Sequence, residues 1–319
     1  VVKLSSLGDV IHALPALTDA AAQLPAVRFD WAVEWSFAQI PAWHPAVERV
    51  IPVALRRWRR KPLQALRGPE WRRMRDALVA RPYDAVVDAQ GLIKSAVISR
   101  LARGPRWGMD GRSAREGIAA TLYSQRVAVP RDLHAVERIR VLFARTLGYP
   151  RPETAANFGI EGAAARQVLA PPQLVFCHGS ARAEKLWPVE YWSELARLAV
   201  SAGCRVCLPW GSAVERERAQ WLAATDGDVV EVMPRLDLAG LARRLQQAVA
   251  VVAVDTGPGH LAAALGVPGV SLYASTSPQR VGTLGPGQVH LVAHDGAMTG
   301  IAPGRVWAAL EPLLAAEHR

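Results

Sequence analysis

Cysteine is scarce: Cys177, Cys204 and Cys207 are the only three in 319 residues. That is too few for a disulfide framework. Cys204 and Cys207 have CxxC spacing, but Val206 and Leu208 make the segment read as a strand, where positions three apart face opposite sides. A shared metal or a redox pair is disfavoured, and buried free thiols are expected. Long apolar runs are also missing. None reaches the ~18 residues that cross a bilayer, and no signal peptide opens the chain, so a cytosolic protein is expected. Val1-Val2-Lys3-Leu4 reads as the tail of a strand, with a few native residues expected ahead of it. There is no fine-period repeat and no low-complexity segment.

What is present is apolar content of 50%, enough for two domains with their own cores. The net charge of +10 is concentrated in one place. Between Arg56 and Arg81 stand ten Lys/Arg against Glu70 and Asp76, a local excess of +8 that leaves only +2 for the remainder. Such a device points to an anionic partner at one location. Arg56-Arg57-Trp58-Arg59-Arg60-Lys61 invites a nucleic-acid reading, yet the nearby aromatics are few (Trp58, Trp71) and no nucleic-acid module is visible. A solvated helix face explains many charge runs, but not eight uncompensated charges. Anionic lipid head groups attract such clusters at roughly 1 kcal/mol per basic residue, so a phosphorylated, membrane-resident partner is favoured over nucleic acid.

Taken in order, the pattern alternates strand and helix. Val1–Leu4, Phe29–Val33, Val50–Val53 and Ala85–Asp88 read as strands. The helical patterns run from Ser5–Asp9 onward with Val10, Leu14 and Leu17 on one face, then Phe37–Trp43, the basic segment, Gly91–Leu101, Arg112–Tyr123 and His134–Leu147. Gly148-Tyr-Pro-Arg-Pro152 breaks the pattern, and the domain boundary is placed in the irregular stretch that follows. A second α/β cycle starts at Leu174–Cys177, and the tail from Pro303 to Glu317 is one more amphipathic helix. This alternation predicts two doubly wound α/β halves with parallel sheets, whose ligands sit at the carboxyl ends of the strands, in the cleft between the domains.

The stretch that organises the second half is Val251–Tyr273. An apolar strand ends at Asp255, followed by Thr256-Gly257-Pro258-Gly259-His260 and a short helix. Unpaired N–H groups and the positive end of a helix dipole converge there, which suits a phosphate. Gly257–Ala262 formally matches G-x-G-x-x-[G/A], but weakly as a dinucleotide fingerprint. The helix is short, Ala274-Ser275-Thr276 supplies no acid after the next strand, and Asp255 precedes the first glycine. A tight turn with an N-terminal cap is the plainer alternative. His178-Gly179-Ser180-Ala181 with Lys185 a few residues on also suits phosphate, although Lys185 alone would be an ordinary surface lysine. Glu215, after Pro209-Trp210-Gly211, could accept hydrogen bonds from a ribose diol. Asp9 at the matching edge of the first half reads equally as an N-cap or as a general base.

Together these segments resemble the lipopolysaccharide heptosyltransferases, glycosyltransferase family 9, over essentially the whole chain. The resemblance rests on Lys3–Leu17, Phe29–Glu34, Phe37–His44, Asp88-Ala-Gln-Gly-Leu-Ile-Lys94-Ser95 and His134–Arg138. The second half adds Lys185-Leu-Trp-Pro188, Leu208-Pro-Trp-Gly211 and Asp255–Leu265. It implies a GT-B fold of two Rossmann-like domains facing across a cleft. Residues 1–155 would bind acceptor, 156–302 would bind nucleotide sugar, and the helix at 303–319 would pack back on the first domain. It implies an inverting enzyme that moves L-glycero-D-manno-heptose from ADP-L-glycero-β-D-manno-heptose. Among the family, the likeness is strongest to members that use the first Kdo of Kdo2-lipid A as acceptor.

Matched residue by residue, the resemblance makes Asp9 the base and has Lys185 hold the donor phosphates, with Thr256, Gly257 and His260 around the same group. Asp255 would meet the heptose, Glu215 the ribose, and Leu236 would line the adenine slot where methionine is common. Ser180-Ala181 stands where relatives have a Thr-Thr pair, so one hydroxyl is lost there. Arg56, Arg57, Arg59, Arg60 and Lys61 would meet the acid groups of the acceptor. No metal site or cofactor is expected, helix N-termini and Lys185 taking the place of Mg²⁺. The expected setting is the cytoplasmic face of the bacterial inner membrane, held peripherally at an anionic surface. The alternatives are a member that adds a later heptose or uses another nucleotide sugar, and a non-enzymatic binder of anionic lipid or polymer.

Overall fold

The computed structural model describes residues 1–160, 167–226 and 229–316. By internal contacts the chain divides into Val1–Ile160 and Glu161–Arg319.

The first unit has strands β1 (Phe29–Glu34), β2 (Val47–Val53), β3 (Val86–Asp88), β4 (Arg106–Met109) and β5 (Gln125–Val127). β1 pairs with β2, and β3 with β4 and β4 with β5, all parallel. Val2 bridges in parallel to both Ala32 and Asp88, so the extended N-terminal residues join the two pieces into one sheet. Counting that segment as the first strand, the order is 3-2-1-4-5-6. The second unit has β6 (Gln173–Cys177), β7 (Arg205–Leu208), β8 (Val230–Val232), β9 (Ala250–Val254), β10 (Gly269–Tyr273) and β11 (Gln288–Val292). Its sheet order, β11-β10-β9-β6-β7-β8, is the same arrangement, again all parallel. Both halves therefore carry the doubly wound dinucleotide-binding topology.

The central strands read as unbroken apolar runs because both of their faces are covered: β6, β9 and β10 are buried at every position. In the second unit the core gathers Phe176, Trp187 and Trp192, whose rings stack edge-on or tilted about 5 Å apart. The Trp187 indole N–H, which burial would otherwise orphan, donates to the Ile301 carbonyl at 2.9 Å. The helix Pro303–Ala316 contributes Val306 and Leu310 to this same core. In the first unit, helices Leu14–Gln23 and Ala135–Leu147 pack around a buried ion pair, Arg140 Nε to Asp19 Oδ2 at 2.6 Å.

The structure differs from the sequence pattern in two ways. Arg112–Tyr123 is not a continuous helix: turns lead to a short 3₁₀ segment at Gly117–Leu122. The Gly117 backbone lies so close to Gly111 that an added Cβ would sit 2.6 Å from the Gly111 carbonyl oxygen, a backbone crossing that regular helix would not make. Strands β4, β5 and β11 also escaped the pattern. Each is short and only part-buried, so none presents a clear apolar run.

In each sheet the strand order reverses once, and ligands of such sheets bind outside the carboxyl ends of the strands at that point. In the first unit the reversal lies between the N-terminal segment and β3, whose ends carry Ser5–Asp9 and Ala89–Gly91. In the second it lies between β6 and β9, whose ends carry His178–Lys185 and Asp255–Gly259.

Candidate active site

Asp9 sits at the third position of the helix Leu7–Ile11, with Ser6, not Asp9, at the N-cap. The local role is real, and it uses one oxygen. Asp9 Oδ2 accepts the Ser6 backbone N–H at 2.9 Å and the Ser6 hydroxyl at 3.1 Å. The other oxygen is aimed at cations, with Lys3 Nζ 3.7 Å and Arg115 Nη1 3.6 Å from Oδ1. Burial alone would raise this carboxyl, but Lys3, the Ser6 amide and Arg115 outweigh it and hold the pKa at about 2. Asp9 is thus a fixed, partly accessible carboxylate, 27% exposed at the side chain and ionised at any working pH.

The turn in front of Asp9 is locked from the neighbouring strand. Gln90 Oε1 accepts the Leu4 N–H at 2.6 Å, and its amide donates to the Ser5 carbonyl. Gln90 is itself placed by Asp88, a fully buried carboxyl that accepts the Gln90 and Gly91 N–H groups and the Tyr123 hydroxyl. Gly91 follows at φ +68°, a conformation that favours glycine. Lys3 is buried and donates to the Ala89 carbonyl at 3.0 Å. Sequence reasoning missed Lys3, Gln90 and Arg115 as supports of Asp9. Lys3 and Gln90 lie on the carboxyl ends of adjacent central strands, a signal available once the strand order is known.

The second unit brings Lys185, Asp255, Thr276 and His260 together. Lys185 ends the 3₁₀ turn Ala183–Lys185, and its ammonium reaches Asp255 Oδ2 at 2.5 Å. The Thr276 hydroxyl donates to the same oxygen at 2.6 Å, and His260 Nε2 lies 3.7 Å from Oδ1. Burial would raise the Asp255 carboxyl, but hydrogen bonds from His260, Lys185 and Thr276 hold it well below the usual carboxylate range. Thr276 entered the sequence argument only as the absence of an acid; it is a ligand of the acid one strand away. Thr256 is the N-cap of the helix Gly257–Ala264, and its side chain makes no capping bond. Gly259 permits the close approach of that helix to β9, since a Cβ there would stand 2.8 Å from Ala253 Cβ.

Glu215 is the third residue of the helix Ala213–Asp226, where Oε2 accepts the Gly211 and Ser212 N–H groups at 2.7 and 3.1 Å. Its carboxylate also lies against Gly179, where a Cβ would come within 2.7 Å of it. So Gly179, Ser180 and Glu215 belong to one wall at the ends of β6 and β7. The Ser180 hydroxyl accepts the Arg182 N–H at 3.3 Å, and Ala181 is exposed. Leu236 is half-buried and packs beside Gly240, just ahead of the Asp237 cap of the helix Leu238–Gln247.

The basic segment folds as helices Leu55–Trp58, Pro62–Arg67 and Pro69–Val79. Arg56, Arg57, Arg59, Arg60 and Lys61 are all exposed. Arg56 stands over the Phe37 ring and Arg57 over the Trp35 ring at 5.4 and 5.2 Å, and Arg57 pairs with Glu70 at 2.8 Å. Trp58 turns inward against Trp71, so it anchors the segment instead of recognising a partner. The three cysteines are buried and free, and burial pushes Cys177 up to about 12 and Cys207 up to about 11.

Residues 71–302 match the family model described as Glycosyltransferase family 9 (heptosyltransferase). The chain is 53% identical to lipopolysaccharide heptosyltransferase 1 of Pseudomonas aeruginosa over 91% of its own length and 82% of that protein's. It is 48% identical to the Escherichia coli K12 protein of the same name, over 91% of each. The structure superposes on E. coli heptosyltransferase WaaC solved with ADP at a TM-score of 0.90, with 44% identity over 98% of both chains. For WaaC solved with ADP-2-deoxy-2-fluoro heptose the TM-score is 0.87, with the same identity and coverage.

Proposed function

The chain belongs to glycosyltransferase family 9, the heptosyltransferases, and on that premise we propose that it moves L-glycero-D-manno-heptose from ADP-heptose to the first Kdo of Kdo2-lipid A, with inversion. Carrying this reading is the set of fixed charges at the reversal point of the second sheet. Lys185, pinned by Asp255, stands beside a helix N-terminus whose Thr256 hydroxyl makes no capping bond. An ammonium and oriented amides are what a departing diphosphate needs, because negative charge grows on it as the sugar leaves. No cofactor enters the scheme.

In the transfer, the acceptor hydroxyl oxygen attacks the anomeric carbon and its proton passes to the Asp9 carboxylate. The bond from that carbon to the phosphate oxygen breaks, and ADP departs with the electron pair. A carboxylate with a pKa of about 2 is too weak to ionise a free alcohol. It takes the proton only as the new C–O bond forms and the hydroxyl becomes acidic, which suits a transition state rich in oxocarbenium character. Glu215 is assigned to the ribose, Leu236 to the adenine, and Ser180 and Ala181 to the phosphates. Gly257 and His260 are assigned to the same phosphates, and Asp255 to the heptose as well as to Lys185. Arg56, Arg57, Arg59, Arg60 and Lys61 are assigned to the acid groups of the acceptor, at the cytoplasmic face of an anionic inner membrane. Among the described residues no helix is long and apolar enough to cross a membrane.

The test is a donor screen with the purified protein and Kdo2-lipid A, read by mass. A gain of one heptose from ADP-heptose is expected. Transfer from a different nucleotide sugar, or only to an acceptor that already carries heptose, would replace this assignment by another member of the family.

A further inference from the structure

We propose that the helix Pro62–Arg67 is a membrane-insertion element, with Leu63 and Leu66 entering the acyl boundary of an anionic bilayer while the surrounding arginines hold the head groups. The proposal deepens the functional reading above and rests on it for the setting, but not for its evidence.

Leu63 and Leu66 lie three residues apart and therefore on one side of the helix. They are 77% and 51% exposed, whereas Ala65 turns inward to the core around Met74 and Leu78. The helix is thus already seated, and its leucines contribute nothing to that seating. Cations bracket them in the chain: Arg59, Arg60 and Lys61 precede the helix and Arg67 ends it, all exposed, and Arg72 and Arg73 are exposed on the helix that follows. In the same unit Trp35 is 54% exposed, with the Arg57 guanidinium over its ring. Two bare leucines bracketed by four exposed cations are a poor surface for water and for self-association. A lipid surface satisfies both features together, phosphates meeting the arginines and acyl chains covering the leucines. Nucleic acid would meet the charge but leave the two leucines uncovered, because leucine offers no ring on which bases stack.

The experiment exploits the burial of all three native cysteines. Leu63→Cys is labelled with an environment-sensitive fluorophore and mixed with vesicles of equal parts phosphatidylcholine and phosphatidylglycerol, with no acceptor lipid present. A blue shift is expected with these vesicles and not with phosphatidylcholine alone, and no shift from the same label at Val214, which is 75% exposed in the second unit. The double variant Leu63→Ser/Leu66→Ser should partition into the anionic vesicles at least about tenfold more weakly. Its ADP affinity, and its turnover of a deacylated, soluble acceptor, should match the parent, which also shows that it is folded. Partitioning unchanged in the double variant, or lost only when the arginines are neutralised, overturns insertion while leaving the transferase assignment intact. An unshifted label with a competing shift on single-stranded RNA would also overturn it. Loss of soluble-acceptor turnover in the double variant would instead assign the leucines to the acceptor site and refute a bilayer role.

Discussion

Asp9 can be tested as a base separately from its part in the fold. Asp9→Asn keeps the shape and retains an oxygen able to accept the Ser6 N–H, so the helix start survives. What it removes is the negative charge facing Lys3 and Arg115, at 3.7 and 3.6 Å. At an effective dielectric near 20 each contact carries about 4 to 5 kcal/mol of gross Coulomb energy, most of it offset by desolvation. The net appears in the pKa, which stands at about 2 against a reference of 3.8. That difference corresponds to about 2 kcal/mol of stability. Because the folded pKa is depressed, the contribution is complete above pH 3.8 and is lost as the pH falls towards 2. At neutral pH the asparagine variant should therefore be less stable by about this amount yet still folded. Its catalytic loss should be larger: removal of a positioned base costs about 10² to 10⁴ in rate. Single-turnover transfer followed by mass, with ADP affinity measured by calorimetry, separates the two. We expect kcat down by about a thousandfold and ADP affinity within twofold. A second signature is the pH profile, which should show no acid limb from Asp9 between pH 4 and 8. An Asp9→Asn enzyme with kcat within threefold of the parent would refute Asp9 as the base.

Three further outcomes follow from the geometry. Lys185→Ala should weaken ADP-heptose binding by about ten- to a hundredfold, and should lower stability because Asp255, 9% exposed, keeps only Thr276 and His260; unchanged donor affinity by calorimetry would remove Lys185 from the site. Gly179→Ala places a Cβ 2.7 Å from the Glu215 carboxylate, so ADP affinity should fall more than inorganic diphosphate affinity, and equal losses would separate Glu215 from the ribose. His44 is buried with its Nδ1 accepting the Ala46 N–H, and burial lowers it to about 4. Its unfolded form therefore takes up a proton first, so stability should drop between pH 6.5 and 4 by up to about 3 kcal/mol from this group. A thermal melt series should show that slope reduced in His44→Gln, and an unchanged slope would assign the acid sensitivity elsewhere.

Much of this protein was legible without coordinates because its signals are local. Apolar runs such as Val251–Val254 mark buried parallel strands, and the Gly-Pro-Gly turn after Asp255 marks a helix start with open amides. The charge excess at Arg56–Arg81 is a matter of counting. Asp9, Lys185, Asp255 and Glu215 could each be picked out by standing at the carboxyl end of a strand. Their relations could not. That Lys185 pairs with Asp255, that Thr276 shares the same oxygen, and that Lys3 and Arg115 hold Asp9 ionised are contacts across 6 to 106 residues of chain. Only the order of parallel strands brings those segments side by side. The same holds for Leu63 and Leu66. Nothing in the sequence singled them out, and only the packing, with Ala65 turned to the core, leaves them facing water. Sequence settles which side chains stand at the strand ends, because that depends on periodicity; tertiary structure decides their partners, because partners are set by which strands lie next to each other.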